Sequence, residues 1–276
     1  MRRQLAIAAL LAIASPLAAQ APVAAQATSA TQATSATQAS ASFDVATIKF
    51  ADADVKRGRF IVMKGPHRWV AQNYTLKLLI AAAYDLNPHT VSKGPPWLDT
   101  DHYDIEAITP GETQPNHDQQ MAMLRTLLAE RFSLAFHREP AVFSIYELQL
   151  AKGGPKLTPS TAPADDPPKL INVVYPQKID LPAHNATMHD LVSMMQRAML
   201  DRPVVDKTGL TARYDFDLQW APDETQFGGD IPAAPADAPL PPLLTAIQEQ
   251  LGLKLVATRG PVDALLIDRA ERPTAN

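Results

Sequence analysis

Apolar residues recur at helical spacing in two similar stretches of the chain, Thr75–Tyr84 and Thr187–Met195. In both, an asparagine lies two residues before a threonine that can cap the helix by accepting a backbone hydrogen bond. An alternating strand pattern follows each stretch, at Tyr103–Ala107 and at Tyr214–Leu218. Its apolar side chains face one way and its acids the other, which predicts half-buried strands with the acids in solvent.

A second pair of segments follows the same order. Met123–Leu134 and Leu243–Leu253 have the spacing of amphipathic helices, and each runs directly into a short strand pattern. Arg138–Pro140 and Arg259–Pro261 are predicted to be turns. A final strand is predicted after each turn, at Tyr146–Leu150 and Ala264–Asp268.

These patterns predict an α+β fold of two similar halves, each an antiparallel sheet with helices on one face, built from paired helix-strand-strand units. A parallel α/β sheet would need strand-helix-strand crossovers throughout. The predicted halves are residues 43–157 and 169–276, with a proline-rich linker at 158–168 and a proline-rich loop at 221–242. Further strands are predicted at 43–50, 59–70 and 170–175.

The first 42 residues have the pattern of an export signal and a tether. A basic start, an apolar run from Leu5 to Ala14 and a small-residue exit predict a signal peptide over residues 1–25, cleaved after Ala19 or Ala25. An N-terminal membrane anchor is the alternative, but the run is too short for roughly 30 Å of hydrocarbon. Residues 26–42 are rich in Thr, Ser, Ala and Gln, and we expect a disordered linker there. We therefore expect an exported, periplasmic or extracellular protein with no membrane span after signal cleavage.

Composition narrows the classes of fold and partner. The chain has no cysteine, so no disulfide can hold it together outside the cell, and its 46% hydrophobic residues must form a sufficient core. A net charge of -4 gives no basic surface for phosphate neutralisation, so nucleic acid is not an expected partner.

Several strings of residues, in order along the chain after the linker, carry a family resemblance. They are Phe43–Lys49, Leu127–Phe132, His137–Glu139, Gly153–Leu157, Arg202–Leu210, Arg213–Leu218, Glu249–Leu255 and Ile267–Pro273. With them the chain resembles a secreted domain family of unknown function that is abundant in soil bacteria. Two departures are Phe50, where a proline is usual, and Ala212, where a glycine is usual.

The resemblance implies a sensing or binding role outside the membrane. Some relatives resemble the extracytoplasmic tail of membrane metallopeptidases of the antibiotic-sensor type. This chain has no His-Glu-x-x-His string of such a peptidase domain. The family itself has no established activity, so the resemblance names no site residue.

The motifs of catalysis, metal binding and cofactor binding are absent or have a simpler structural explanation. There is no Gly-x-Ser-x-Gly string, and the seven histidines are scattered, so we predict no catalytic, metal or cofactor residues. Asp206-Lys207-Thr208-Gly209 fits an anion or acid-base site, but it fits a β-turn better.

Five residues form a candidate ligand-binding set. Trp97 lies in a loop, as a plug over the core or as an exposed anchor, and it is grouped with Tyr103 as an aromatic lining. Arg138 is expected in a solvated turn, where it can pair with a carboxylate. Asp206 and Lys207 complete the set.

Three functional hypotheses follow. The leading hypothesis is a non-enzymatic binding or interaction module for an unknown envelope or extracellular ligand, peptide or protein, with the ligand in a cleft between the halves or paired to an exposed sheet edge. The alternative is a carboxylate-based hydrolase of envelope or extracellular polymers, which uses Asp104, Glu106, Asp215 and Asp217. A structural or assembly protein is the third.

Overall fold

Three β-sheets and a small set of helices make up the described part of the chain, which in this computed structural model is residues 41–51, 58–163, 165–229 and 231–274. These described residues form one compact unit. The predicted signal peptide and residues 26–40 of the predicted linker lie outside the described residues. The predicted α+β class is confirmed.

The strands are short except for two. In chain order the strands are β1 Val45–Phe50, β2 Phe60–Lys64, β3 Arg68–Thr75, β4 Val91–Ser92, β5 His102–Ile108, β6 Ala135–Leu150, β7 Thr158–Pro159, β8 Lys169–Leu170, β9 Val173–Val174, β10 Ile179–Ala186, β11 Val204–Asp206, β12 Tyr214–Trp220 and β13 Leu253–Arg269. The first sheet has the order β1-β5-β3-β2 and the second β7-β12-β10-β8, with β9 also on β10.

The α-helices are α1 Leu76–Ala83, α2 Trp97–Thr100, α3 His117–Arg131, α4 Met188–Met194 and α5 Leu243–Ala246. The last two continue as π-helical turns at Met195–Met199 and Ile247–Leu251, and 3-10 turns lie at Pro88–Thr90 and Gln226–Gly229. None of the helices in the described ranges has the length and hydropathy needed to cross a bilayer.

The third sheet takes one strand from within the first sheet's part of the chain, one from within the second's, one from between them and one from after both. Its order is β11-β6-β13-β4. Its centre is a ribbon of β6 and β13, which pair antiparallel from Leu150 opposite Leu253 to Ala135 opposite Arg269. The short strand β11 pairs parallel with β6, and β4 pairs parallel with β13.

The ribbon corrects the two predicted turns and the predicted helix-strand-strand units that contain them. Arg138–Pro140 and Arg259–Pro261 lie inside the long strands, so each predicted pair of strands is one strand. Proline suggested turns because it cannot donate a hydrogen bond to a neighbouring strand. The neighbouring strands β11 and β4, however, pair only with the two ends of the ribbon. Its middle is two-stranded with open edges, where a proline is tolerated.

Two hydrophobic cores pack on the same face of the ribbon. The first contains Leu265 and Ile267 of β13, and the second contains Leu148 of β6 and Leu253 of β13. Each such buried aliphatic side chain contributes roughly 1.5–3 kcal/mol. Leu265 and Ile267, from the predicted half at 169–276, therefore lie in the first core, and Leu148, from the predicted half at 43–157, lies in the second.

Matching local geometry recurs in the first and second sheets. Asn73 and Asn185 both adopt positive φ, at 58° and 52°, next to a bulge in β3 and in β10. The backbone N–H of Asn73 donates to Asp104 at 2.9 Å, and that of Asn185 donates to Asp215 at 2.8 Å.

The next residues cap the helices as the sequence predicts. The Thr75 side chain accepts from the Leu78 N–H at the start of α1, and Thr187 forms a capping box with Asp190 at the start of α4. Each cap satisfies free N–H groups in the first turn. The recurring asparagine-threonine spacing in the sequence therefore marks a bulge followed by a helix start.

Other boundaries differ from the prediction for local reasons. Helix α3 begins six residues before the predicted Met123, because Asn116 and Gln119 form a capping box ahead of a polar first turn. The predicted strand 59–70 spans parts of the β2–β3 hairpin. Thr158 and Pro159, in the predicted linker, pair with β12 as an edge strand.

Polar contacts tie the loop after α1 to the helix after β10. Asn87 is 1% exposed, and its side-chain amide donates to the carbonyls of Gln196 and Leu200 at 2.8 and 3.2 Å. Gln196 in turn donates to the Asp85 carbonyl at 2.6 Å. These bonds link the loop after α1 to the π-helical turn after α4 and the residue that follows it.

Replacing Asp215 by alanine is expected to destabilise the protein, because the N–H of Asn185 loses its acceptor. The melting temperature should fall by at least roughly 2–4 °C. Asp217→Ala, at an exposed position of the same strand, is the matched control and should leave it nearly unchanged. Equal shifts in the two variants would contradict this role.

The effect should also depend on pH. The Asn185 N–H holds the pKa of Asp215 below its ordinary 3.8. The ionised carboxylate therefore stabilises the fold above pH 3.8, and this contribution is lost as the pH falls through the lowered value. The gap between wild type and Asp215→Ala should narrow below pH 3.8 in thermal unfolding.

Candidate functional site

A cleft of about 340 Å³ opens where β4 lies against β13 at the edge of the third sheet. Its apolar part is formed by Val91 of β4, Leu98 of α2 and Ile267 of β13. All three belong to the first core, which fixes this side of the cleft. A volume of this size suits a small molecule.

A strained turn forms the rim of the cleft. Lys93 has a φ of 60° and Gly94 a φ of 87°, both in the left-handed region that costs a lysine energy. A Cβ on Gly94 would lie 2.5 Å from Leu98 Cδ1 and 3.3 Å from Ile267 Cβ. Glycine is therefore needed at position 94 so that the turn can pack against Leu98 of α2. This packing places Lys93 at the cleft.

The charge of the cleft is positive. Lys77 of α1 lies 3.1 Å from an Asp99 oxygen, so these two charges offset each other. Within the described ranges, no carboxylate lies within ion-pair distance of Lys93. Ser92 and the exposed ring of His89 add polar groups to the same wall. The arrangement suits an anion, which Lys93 attracts and the polar groups can hydrogen-bond.

A family described as "Protein of unknown function (DUF3738)" matches residues 77–270. The chain belongs to the DUF3738 family. The match begins in α1 and ends after β13, so it includes the cleft and leaves out β1, β2 and β3. No curated protein and no solved structure matches the chain significantly. The resemblance to a family of unknown function is confirmed; the soil-bacterial origin and the sensor-tail relatives stay predictions.

In this DUF3738 chain, the predicted site residue Trp97 lies beside the cleft, and Tyr103 lies in the first core. The Arg272 guanidinium lies 5.2 Å from the Trp97 ring centroid and donates to Asp101 at 2.7 Å. Trp97 is partly buried against the first core, beside the cleft residue Leu98. Tyr103 is fully buried and packs on the rings of Phe50 and Phe132, so it does not line a binding surface.

The other three predicted residues lie elsewhere. Arg138 is in the ribbon, where it contacts the Tyr84 ring. Asp206 accepts hydrogen bonds from the backbone and side chain of Thr208 at 2.8 and 2.7 Å, and Gly209 has positive φ. The Asp206 and Thr208 bonds are those of an Asx turn. The β-turn that the sequence favoured for the string around Lys207 stays a prediction.

Sequence reasoning missed the cleft residues Lys77, His89, Ser92, Lys93 and Asp99. Gly94 followed by two prolines marks a turn, but the convergence of these side chains depends on the pairing of β4 with β13. That pairing joins residues more than 170 positions apart, and no local pattern encodes it.

The four acids of the hydrolase hypothesis are divided between two sheets. Their strands alternate between buried apolar positions and acidic positions that are half-buried at Asp104 and Asp215 and exposed at Glu106 and Asp217. Asp104 and Asp215 accept the N–H groups of Asn73 and Asn185, and Glu106 forms an exposed ion pair with Arg68 at 2.6 Å. The observed contacts of these three acids are therefore structural.

Tyr103→Phe is expected to retain or raise stability at neutral pH. The Tyr103 hydroxyl is buried, and no hydrogen-bond partner lies near it in the described ranges. Removing such an unsatisfied group should stabilise the fold by up to about 1 kcal/mol. Chemical denaturation measures the change; a loss of more than about 1 kcal/mol would show that the hydroxyl has a favourable partner.

The same variant should lose a pH dependence. Burial, with Asp101 in addition and Arg272 in opposition, raises the pKa of Tyr103 from 10.0 to about 12. The unfolded chain therefore ionises first, and wild-type stability should fall as the pH rises from 10 to 12. Tyr103→Phe should show a smaller fall over this range.

Proposed function

We propose that this DUF3738 protein is an exported, non-enzymatic binding module whose cleft beside β4 takes a small ligand with a carboxylate or phosphate group. The observation that carries the proposal is Lys93, held at the cleft by a left-handed turn without a carboxylate partner among the described residues. Export rests on the sequence pattern of residues 1–25.

The chemistry of the cleft favours a small ligand with one charged end. The Lys93 ammonium supplies charge, the Ser92 hydroxyl and the His89 ring can hydrogen-bond an oxyanion, and Asp99 keeps Lys77 in place. The apolar side formed by Val91, Leu98 and Ile267 suits a short aliphatic or ring portion. This combination of an apolar wall and few polar groups is typical of small-molecule sites.

The binding hypothesis has more support than the hydrolase alternative. A glycosidase needs two carboxylates roughly 5–10 Å apart across a cleft. The cleft has one lining carboxylate among its described residues, Asp99, and that group is paired with Lys77.

Calorimetric titration of the purified chain tests the proposal. The probes are succinate, glutamate, inorganic phosphate and glycerol 3-phosphate, with glucose as the neutral control. We expect at least one anion to bind, and Lys93→Ala to weaken that binding about tenfold, which corresponds to about 1.4 kcal/mol.

Lys152→Ala is the matched control, because Lys152 is an exposed lysine of another turn. It should leave the affinity within about twofold of wild type. Failure of every anion to bind, or equal affinity in Lys93→Ala and wild type, would overturn the assignment of the cleft.

Export has its own test. Expression of the full chain in a Gram-negative host, followed by cell fractionation and N-terminal sequencing, should give a periplasmic or medium form that begins at Gln20 or Gln26. A full-length chain that stays in the cytoplasm or in the membrane fraction would contradict export by a cleaved signal.

A further inference from the structure

Two arginines lie close to one tyrosine at the first core's end of the ribbon. The guanidinium carbons of Arg125 and Arg138 are 5.3 and 5.9 Å from the Tyr84 ring centroid. Phe136 contacts the same ring edge-on, with centroids 4.9 Å apart. We refer to Tyr84, Arg125 and Arg138 as the arginine–tyrosine cluster.

Three different elements hold the cluster in place. Tyr84 is the C-cap residue of α1, and its N–H donates to the Ile80 carbonyl. The Arg125 Nε of α3 donates to the Ala83 carbonyl at 2.6 Å, which leaves its two terminal nitrogens for another partner. Arg138 follows Phe136 by two positions in β6, so both side chains lie on the same face of the strand.

The two positive charges are not matched by an ion pair in the described ranges. Neither Arg125 nor Arg138 forms an ion pair there. On the same face of the ribbon Asp263 lies opposite Pro140, diagonal to Arg138, and forms no ion pair with it. Asp85, next to Tyr84, lies 3.5 Å from Arg197.

An anion bound between two such guanidinium groups would offset their mutual repulsion. Like charges around one ring repel each other, and guanidinium groups bind carboxylate and phosphate oxygens in a planar, two-pronged geometry. Burial raises the pKa of Tyr84 and the two arginines oppose that rise, so its hydroxyl stays protonated near neutral pH and can donate to an anion.

We propose that the arginine–tyrosine cluster is an oxyanion-binding site for a carboxylate or phosphate group, separate from the cleft beside β4. Arg138 supplies the exposed guanidinium, Arg125 supplies one fixed by the α1 carbonyl, and Tyr84 supplies a ring platform and a hydroxyl donor. The site does not depend on the cleft, because the two share no lining residue.

NMR titration of the full chain tests the site. Inorganic phosphate and acetate are added in separate arms, at constant ionic strength, while the arginine side-chain Nε–H signals are followed. We expect the Arg125 signal to shift with at least one of the probes. The arm that gives the lower dissociation constant identifies the preferred source of the oxyanion.

Substitutions give the sharper comparison. Arg138→Ala should weaken binding about tenfold and Arg138→Lys less, because lysine keeps the charge but loses the fork. Arg259→Ala is the matched control: Arg259 is exposed on the same face of the ribbon and has no ion pair in the described ranges. It should leave binding within about twofold.

Arg138 is exposed, so its removal should not unfold the protein, and the melting temperature verifies this. Lys93→Ala should leave the Arg125 response unchanged, which separates this site from the cleft. The proposal is overturned if neither probe shifts the Arg125 signal, if Arg138→Ala binds like wild type, or if Arg259→Ala weakens binding equally.

Discussion

The antiparallel pairing of β6 with β13 is the interaction on which the rest of the fold depends. It joins a strand from the middle of the chain to the strand that ends the described fold, along 16 residues of β6 and 17 of β13. Strand β6 follows a helix of the first core and adds Leu148 to the second core. Strand β13 follows a helix of the second core and adds Leu265 and Ile267 to the first core. Neither core is complete unless this long-range pairing forms.

Both proposed anion sites follow from this pairing. The ribbon gives β4 a strand to pair with, and the turn after β4 then places Lys93 beside Ile267. In β6, the strand paired with β13, Arg138 lies near the Tyr84 ring. The positive groups are isolated within a chain of net charge -4, so they are local features and not part of a basic surface.

Local patterns predicted the elements whose cause is local. The caps at Thr75 and Thr187 and the alternation in β5 and β12 depend on residues within a few positions, and the structure has them where the sequence indicates. Pro140 and Pro261 misled the prediction, because a proline on an open strand edge has the same sequence signature as a turn. The missing information was which strand each segment pairs with.

The candidate sites were hidden for the same reason. Arg138 was predicted as a site residue, but in a turn and without Tyr84 or Arg125 as neighbours. Lys93 is one charged residue in a glycine- and proline-rich loop, and its isolation from acids depends on the packed structure. Side-chain convergence across long sequence separations requires the fold, whereas caps, bulges and alternation do not.

Native-state hydrogen exchange of the ribbon amides tests the central role of this pairing most directly. The account predicts that protected amides in β6, in β13 and in both cores share one free energy of opening, because loss of the ribbon removes side chains from both cores. Exchange of one core at low free energy while the other core and its end of the ribbon stay protected would contradict it.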